Sequence, residues 1–193
     1  MILLLALAVG AAPMSSDAVS IQTLHELGRC VAYREPKTAR KILAMDFHSK
    51  DYQRKLKEMG ESSGSCIAPY SKLRSAGLLF AGAVAEGLLK AEVKKADLPG
   101  RLAYDPAREA IEARSPTEEM ALCTALEAPA ATAALLQTEP TTGEEAEAED
   151  VLTPMLRDCL KKDAKIALNR PALRSMLALA AYRIATAPKE AGQ

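Results

Sequence analysis

The sequence predicts an all-α fold made of two homologous four-helix-type repeat units, each with one intra-unit disulfide, and three observations lead there. Of 193 residues, 37 are Ala and 26 Leu against only six Val and seven Ile, so the apolar content consists of helix formers, not strand formers. The two cysteine pairs have the same spacing: Cys30 to Cys66 is 36 positions, and so is Cys123 to Cys159. Laid on itself at an offset of 93, the chain aligns Leu27 with Met120, Cys30 with Cys123, Ala32 with Ala125, Pro36 with Pro129, and Ile42-Leu43 with Leu135-Leu136. Past the second cysteine the offset becomes 100, pairing Leu73-Arg74-Ser75 with Leu173-Arg174-Ser175 after a seven-residue insertion in the second half. The expected organisation is a first unit over 18–96, a joint over 97–104 and a second unit over 105–187.

Residues 1–12 read as a signal peptide. Ile2 to Ala12 are apolar and uncharged, too short to cross a bilayer, and end in small residues before Pro13, Ser15 and Ser16. Export to the periplasm or outside the cell follows as the expectation. No later segment qualifies as a stable membrane span, since Ala76 to Leu89 is only 14 residues long and contains Glu86.

The first helix is expected over Val19 to Tyr33, with Ile21, Leu24, Leu27 and Val31 on one stripe. Its counterpart starts at Ser115-Pro116-Thr117-Glu118, where Ser is a candidate N-cap, Pro sits at N1 and Glu at N3. Pro36 and Pro129 open a second, short helix in each unit. The third is Ser49 to Met59, ended by Gly60, and in the second unit Gly143 to Lys162, interrupted or kinked at Pro154. The fourth, Lys72 to Lys90 and Pro171 to Ala185, is the most apolar and belongs at the centre of its unit. Gly77, Gly82 and Gly87 recur there at steps of five, which keeps no single face, so they are read as close packing against helices of the same unit.

Four cysteines permit three pairings, and the duplication selects Cys30–Cys66 with Cys123–Cys159, because a repeat that folds as a unit carries its own bridge. Each bridge closes a loop worth roughly 3.8 kcal/mol in the chain-entropy description. Zinc is disfavoured: there is no CxxC pair, and His25 and His48 have no second-unit counterparts.

The search for chemistry leaves no catalytic residue, no metal site and no cofactor motif. Gly60-Glu61-Ser62-Ser63-Gly64 matches G-x-S-x-G but follows a charged helical segment in place of a buried strand. His25-Glu26 begins like H-E-x-x-H, yet Arg29 stands where the second His belongs, and both His are read as surface or helix-end residues. Glu86 is the one charge in an apolar helical run; it is either a buried acid with a raised pKa or the polar edge of a helix paired with Lys90. The acid-rich segment supplies a candidate interaction patch of Glu144, Glu145, Glu147, Glu149 and Asp150.

The motif C-x5-P followed by Cys and then LRS at the start of an Ala/Leu-rich helix occurs twice behind a signal-like segment. It is carried by Cys30, Pro36, Cys66 and Leu73-Arg74-Ser75, and by Cys123, Pro129, Cys159 and Asn169-Arg170-Pro171-Ala172-Leu173-Arg174. In this the chain resembles small exported helical repeat proteins of alphaproteobacteria such as sphingomonads. The resemblance implies fold and compartment and transfers no activity.

The expected function is that of a non-enzymatic binding or scaffold protein for an unknown protein partner, with a carrier of an apolar small molecule or lipid as the alternative. A formal charge of zero argues against generic nucleic-acid binding. That zero is uneven: residues 1–104 hold 15 bases and 10 acids, and residues 105–193 hold 10 bases and 15 acids, or +5 and −5. Charge-complementary packing of the halves, or self-association, is therefore expected.

Overall fold

The computed structural model describes residues 15–62, 66, 77–161 and 168–188. The signal-like segment and Leu73-Arg74-Ser75 lie outside the described residues. Among the described residues the chain forms α1 (Ser16–Arg34), α2 (Pro36–Leu43), α3 (Lys50–Ser62), α4 (Gly77–Glu92), α5 (Leu98–Leu102), α6 (Pro116–Glu127), α7 (Pro129–Gln137), α8 (Gly143–Asp158) and α9 (Arg170–Thr186), and no strand. The fold is all-α, as its composition predicts.

Helix starts follow the polar residues that satisfy otherwise orphaned N–H groups. Ser15, Ser115, Thr142 and Asn169 each accept a side-chain hydrogen bond from the first turn of α1, α6, α8 and α9. Pro36, Pro116 and Pro129 occupy the first position of α2, α6 and α7, where their missing N–H costs nothing. In α6 and α8 the N3 glutamate also reaches back. Glu118 accepts from the Arg114 N–H at 2.7 Å and Glu145 from the Thr141 N–H at 2.6 Å, one residue earlier than in the usual capping box.

The four long apolar faces pack in the order α1, α4, α9, α6, with α2 and α3 on the α1–α4 side, α7 and α8 on the α6–α9 side, and α5 against α7 and α9. α4 is buried from Phe80 to Leu89 and α9 over most of its length, so the two fourth helices form the centre of the whole molecule. Small residues permit that closeness. A Cβ on Gly28 would lie 2.5 Å from the Ala83 Cβ, and one on Gly87 would lie 2.8 Å from the Ala32 Cβ, which fixes α1 tightly on α4. A Cβ on Gly82 would lie 2.4 Å from the Ser175 Cβ on α9. The small-residue packing expected inside one unit thus also joins the two halves.

Both disulfides pair as the duplication predicts, Cys30 with Cys66 and Cys123 with Cys159, each with Cα atoms 5.7 Å apart. Bridges of this kind belong to an oxidising, non-cytoplasmic compartment. No single described helix is long and apolar enough to cross a membrane.

One expectation changes. Gly60 does not end α3, which continues to Ser62; the glycine lets Phe80 approach, its ring carbon 3.3 Å from where a Cβ would stand. Pro154 lies inside α8. The joint over 97–104 contains the short helix α5, held down by buried Leu98 and Leu102.

Candidate functional site

Ionisable chemistry concentrates where α1, α4, α8 and α9 converge on the side chain of Arg174, which is fully buried. On α9, Arg174 shares its inward face with Leu177, Ala178 and Ala181, so helix periodicity alone carries it into the core. All five guanidinium N–H groups find acceptors. Nε and Nη2 donate to the two oxygens of Glu86 at 2.9 and 2.8 Å, a bidentate pair. Nη1 donates to Glu145 Oε1 and to Thr138 Oγ1, each at 3.0 Å, and Nη2 also donates to the Thr138 carbonyl at 2.9 Å.

Each partner is itself held. Glu86 on α4 also accepts from Lys90 Nζ at 2.8 Å, one helical turn on. Glu145 cannot turn away from Arg174 because its second oxygen caps α8 through the Thr141 N–H. The loop before α8 is braced from α1, where Gln22 Nε2 donates to Thr141 Oγ1 at 2.9 Å. Thr141 itself adopts a φ of 64°, in the left-handed region that a non-glycine residue enters at a cost. Its N–H donates to Glu145 from that conformation.

The electrostatics differ from group to group. Burial alone would raise the Glu86 pKa, but the hydrogen bonds and charge of Arg174 outweigh it, holding the carboxyl below its ordinary value. The buried acid with a raised pKa is therefore corrected: Glu86 is buried, and ionised. Its pairing with Lys90 is present as well. Desolvation would lower the Arg174 pKa; Glu86 and Glu145 more than compensate, and it stays charged. His25, on the α1 face that meets α4, has Nδ1 at 3.6 Å from Glu86 Oε2. It is buried, not at the surface as expected, and desolvation drives its pKa down to about 4 despite Glu86. His48 is exposed, its Nε2 at 3.3 Å from the Arg114 carbonyl.

The acidic patch divides. Glu145 and Glu149 face inward, whereas Glu144, Glu147 and Asp150 are exposed. The expected single surface patch of five acids is thus two sets on opposite faces of α8, because four-residue spacing places Glu145 and Glu149 together. Neither oxygen of Glu149 has a hydrogen bond, and Arg170 Nε stands 3.4 Å from Oε2. Desolvation, with Glu145 nearby, pushes the Glu149 carboxyl up to about 7.

Chemically the Arg174 cluster locks helices together: its donors are spent on protein acceptors. Ser62 of the G-x-S-x-G match lies in the last turn of α3 and donates to the Met59 carbonyl. Among the described residues no three His, Cys, Asp or Glu side chains are grouped to hold a metal ion. In the sequence Arg174 stands out only as part of the repeated LRS motif, and His25 only as an incomplete metal motif. A lone base in the apolar run of α9, set beside the lone acid in the apolar run of α4, was the available signal for the pair.

Outside the cluster, α2 and α3 border a surface groove of about 510 Å3, lined by residues that include Lys37, Lys41, Lys55, Ile42 and Met59. Comparison with protein families, with curated proteins and with solved structures finds no match.

Proposed function

We propose that the chain is an exported helical binding or scaffold protein of the periplasm or extracellular space, built by duplication of a disulfide-carrying helical unit and acting without catalysis. One observation carries this reading. The charges at the centre are consumed by Arg174, while the charge left without ion-pair partners among the described residues includes two sets on outer helical faces, basic on α2 and α3 (Lys37, Lys41, Lys55) and acidic on α8 (Glu144, Glu147). Outer faces of short stacked helices are what repeat-built binding proteins present. The two disulfides support the compartment. The alternative, a carrier with an apolar ligand between the two fourth helices, is less well supported, because α4 and α9 meet at Gly82 and Ser175 with no room even for a methyl group.

The test is a pulldown from periplasmic extract with the wild type and with Glu144→Lys/Glu147→Lys and Lys37→Glu/Lys41→Glu as controls. A discrete partner lost with one of the variants is expected; a partner list unchanged by both removes these faces from the function. Native mass spectrometry of the same preparations addresses the alternative, since a bound lipid would move the assignment to a carrier.

A further inference from the structure

The basic groove and the outer stripe of α8 match one another, and we infer that the chain assembles head to tail, with α8 of one copy seated between α2 and α3 of the next. The inference rests on the binding reading and names its partner as a second copy of this chain. The groove has an apolar floor of Ile42 and Met59 and a rim of Lys37, Lys41 and Lys55, none of which forms an ion pair among the described residues. Of the two acids in the lining, Glu58 is already held by Arg54 at 3.1 Å, which leaves Glu35 against three lysines.

The α8 stripe has the complementary composition. Glu144, Glu147, Val151, Pro154 and Asp158 follow at alternating steps of three and four, which places them on one helical face, and all five are exposed. Val151 is 64% exposed, a large apolar side chain in open solvent with acids on both sides along the helix. Arg157 stands at the flank of the stripe. An amphipathic helix laid into a groove, with apolar anchors in the floor and charges on the rim, is a recurrent recognition mode, and here both halves of it occur on one chain. They cannot meet within a molecule: α8 packs on α6 and α7 at one end of the α1, α4, α9, α6 series, and α2 and α3 pack at the other. A contact between different surfaces propagates into an open chain or closes as a ring. Exposed ion pairs are individually weak and screened by salt, so the association is concentration-dependent and ionic-strength-dependent.

Sedimentation equilibrium of the intact, disulfide-bonded protein tests this. At low ionic strength the weight-average mass of the wild type should rise toward at least twice the monomer at chain concentrations on the order of 100 μM, and 0.5 M NaCl should return it to the monomer. Lys37→Glu/Lys41→Glu and Glu144→Lys/Glu147→Lys, all at exposed positions, should each remain monomeric alone and regain assembly when mixed in equal amounts. A wild type that is monomeric under every condition, an assembly indifferent to salt, or variants that assemble like the wild type overturn the inference. Should a variant misfold, the salt and concentration dependence of the wild type decides it alone. A monomeric wild type that still captures a partner overturns self-assembly and leaves the binding role standing; loss of both ends both.

Discussion

Replacing Arg174 with Met keeps much of the side-chain volume in the core and deletes five donors at once. Glu86 then loses a bidentate partner and keeps only Lys90, whose side chain is partly exposed, while Glu145 and Thr138 lose one and two hydrogen bonds. Breaking a buried pair by removing one partner costs about 3–5 kcal/mol, because the remaining charge is stranded. Here Lys90 and solvent near α8 soften the loss, so about 4 kcal/mol is expected, a fall in Tm of about 8–16 °C for a chain of this size. Urea unfolding at pH 7, with m unchanged, measures it. A second substitution sharpens the diagnosis: Glu86→Gln in the Arg174→Met background should recover part of the loss by removing the stranded charge, and acidification toward pH 4 should shrink the deficit as Glu86 becomes protonated. A deficit under about 1 kcal/mol, or one that Glu86→Gln deepens additively, would show that Arg174 is not the lock described.

Gly82→Ala should destabilise by about 1–3 kcal/mol, because its Cβ would meet Ser175 at 2.4 Å, whereas Gly100→Ala, with nothing within 4 Å, should be neutral or slightly stabilising; equal effects in thermal melts would refute the close α4–α9 approach. His25 and Glu149 should have opposed pH signatures. Because folding holds His25 near 4, the unfolded chain takes up a proton below pH 6.5 that the folded chain refuses, and stability is lost as pH falls from about 6.5 to 4. Folding instead holds the Glu149 proton up to about 7, so stability present below about 4.5 is lost as pH rises to 7. His25→Asn should therefore gain stability on acidification from pH 6.5 to 5, and Glu149→Gln should lose it relative to the wild type; parallel profiles in urea titrations would contradict both. Removing one bridge by Cys30→Ser/Cys66→Ser should cost roughly 3–4 kcal/mol, and a loss below about 1 would contradict the loop-closure account.

Local rules carried most of the fold in the sequence. Capping residues and N1 prolines locate the starts of α2, α6 and α7 within a few residues, since each signal acts on neighbouring backbone. Repeat spacing chose the disulfide pairing before any contact was known. What escaped was non-local. Gly60 reads as a helix end because glycine often is one, but Phe80 packs against it and the helix continues. His25 looks like a surface or helix-end residue in the sequence, but it lies three residues before Gly28, on the face that α4 covers. Glu86 is unusual by sequence alone, yet the direction of its pKa shift depends on a base 88 positions away, which no window of local sequence contains. The acidic run reads as one patch because composition counts charges without regard to helical phase.

The central claim is that α4 and α9, joined through Gly82, Ser175 and the Arg174–Glu86 pair, make both disulfide-bearing halves one cooperative body. Native-state hydrogen exchange read by mass spectrometry tests it most directly. Amides of α4 and α9 should open with the same free energy, the highest in the molecule, and Arg174→Met should lower both by the same amount. If α9 loses protection while α4 retains its own, the halves fold separately and the claim fails.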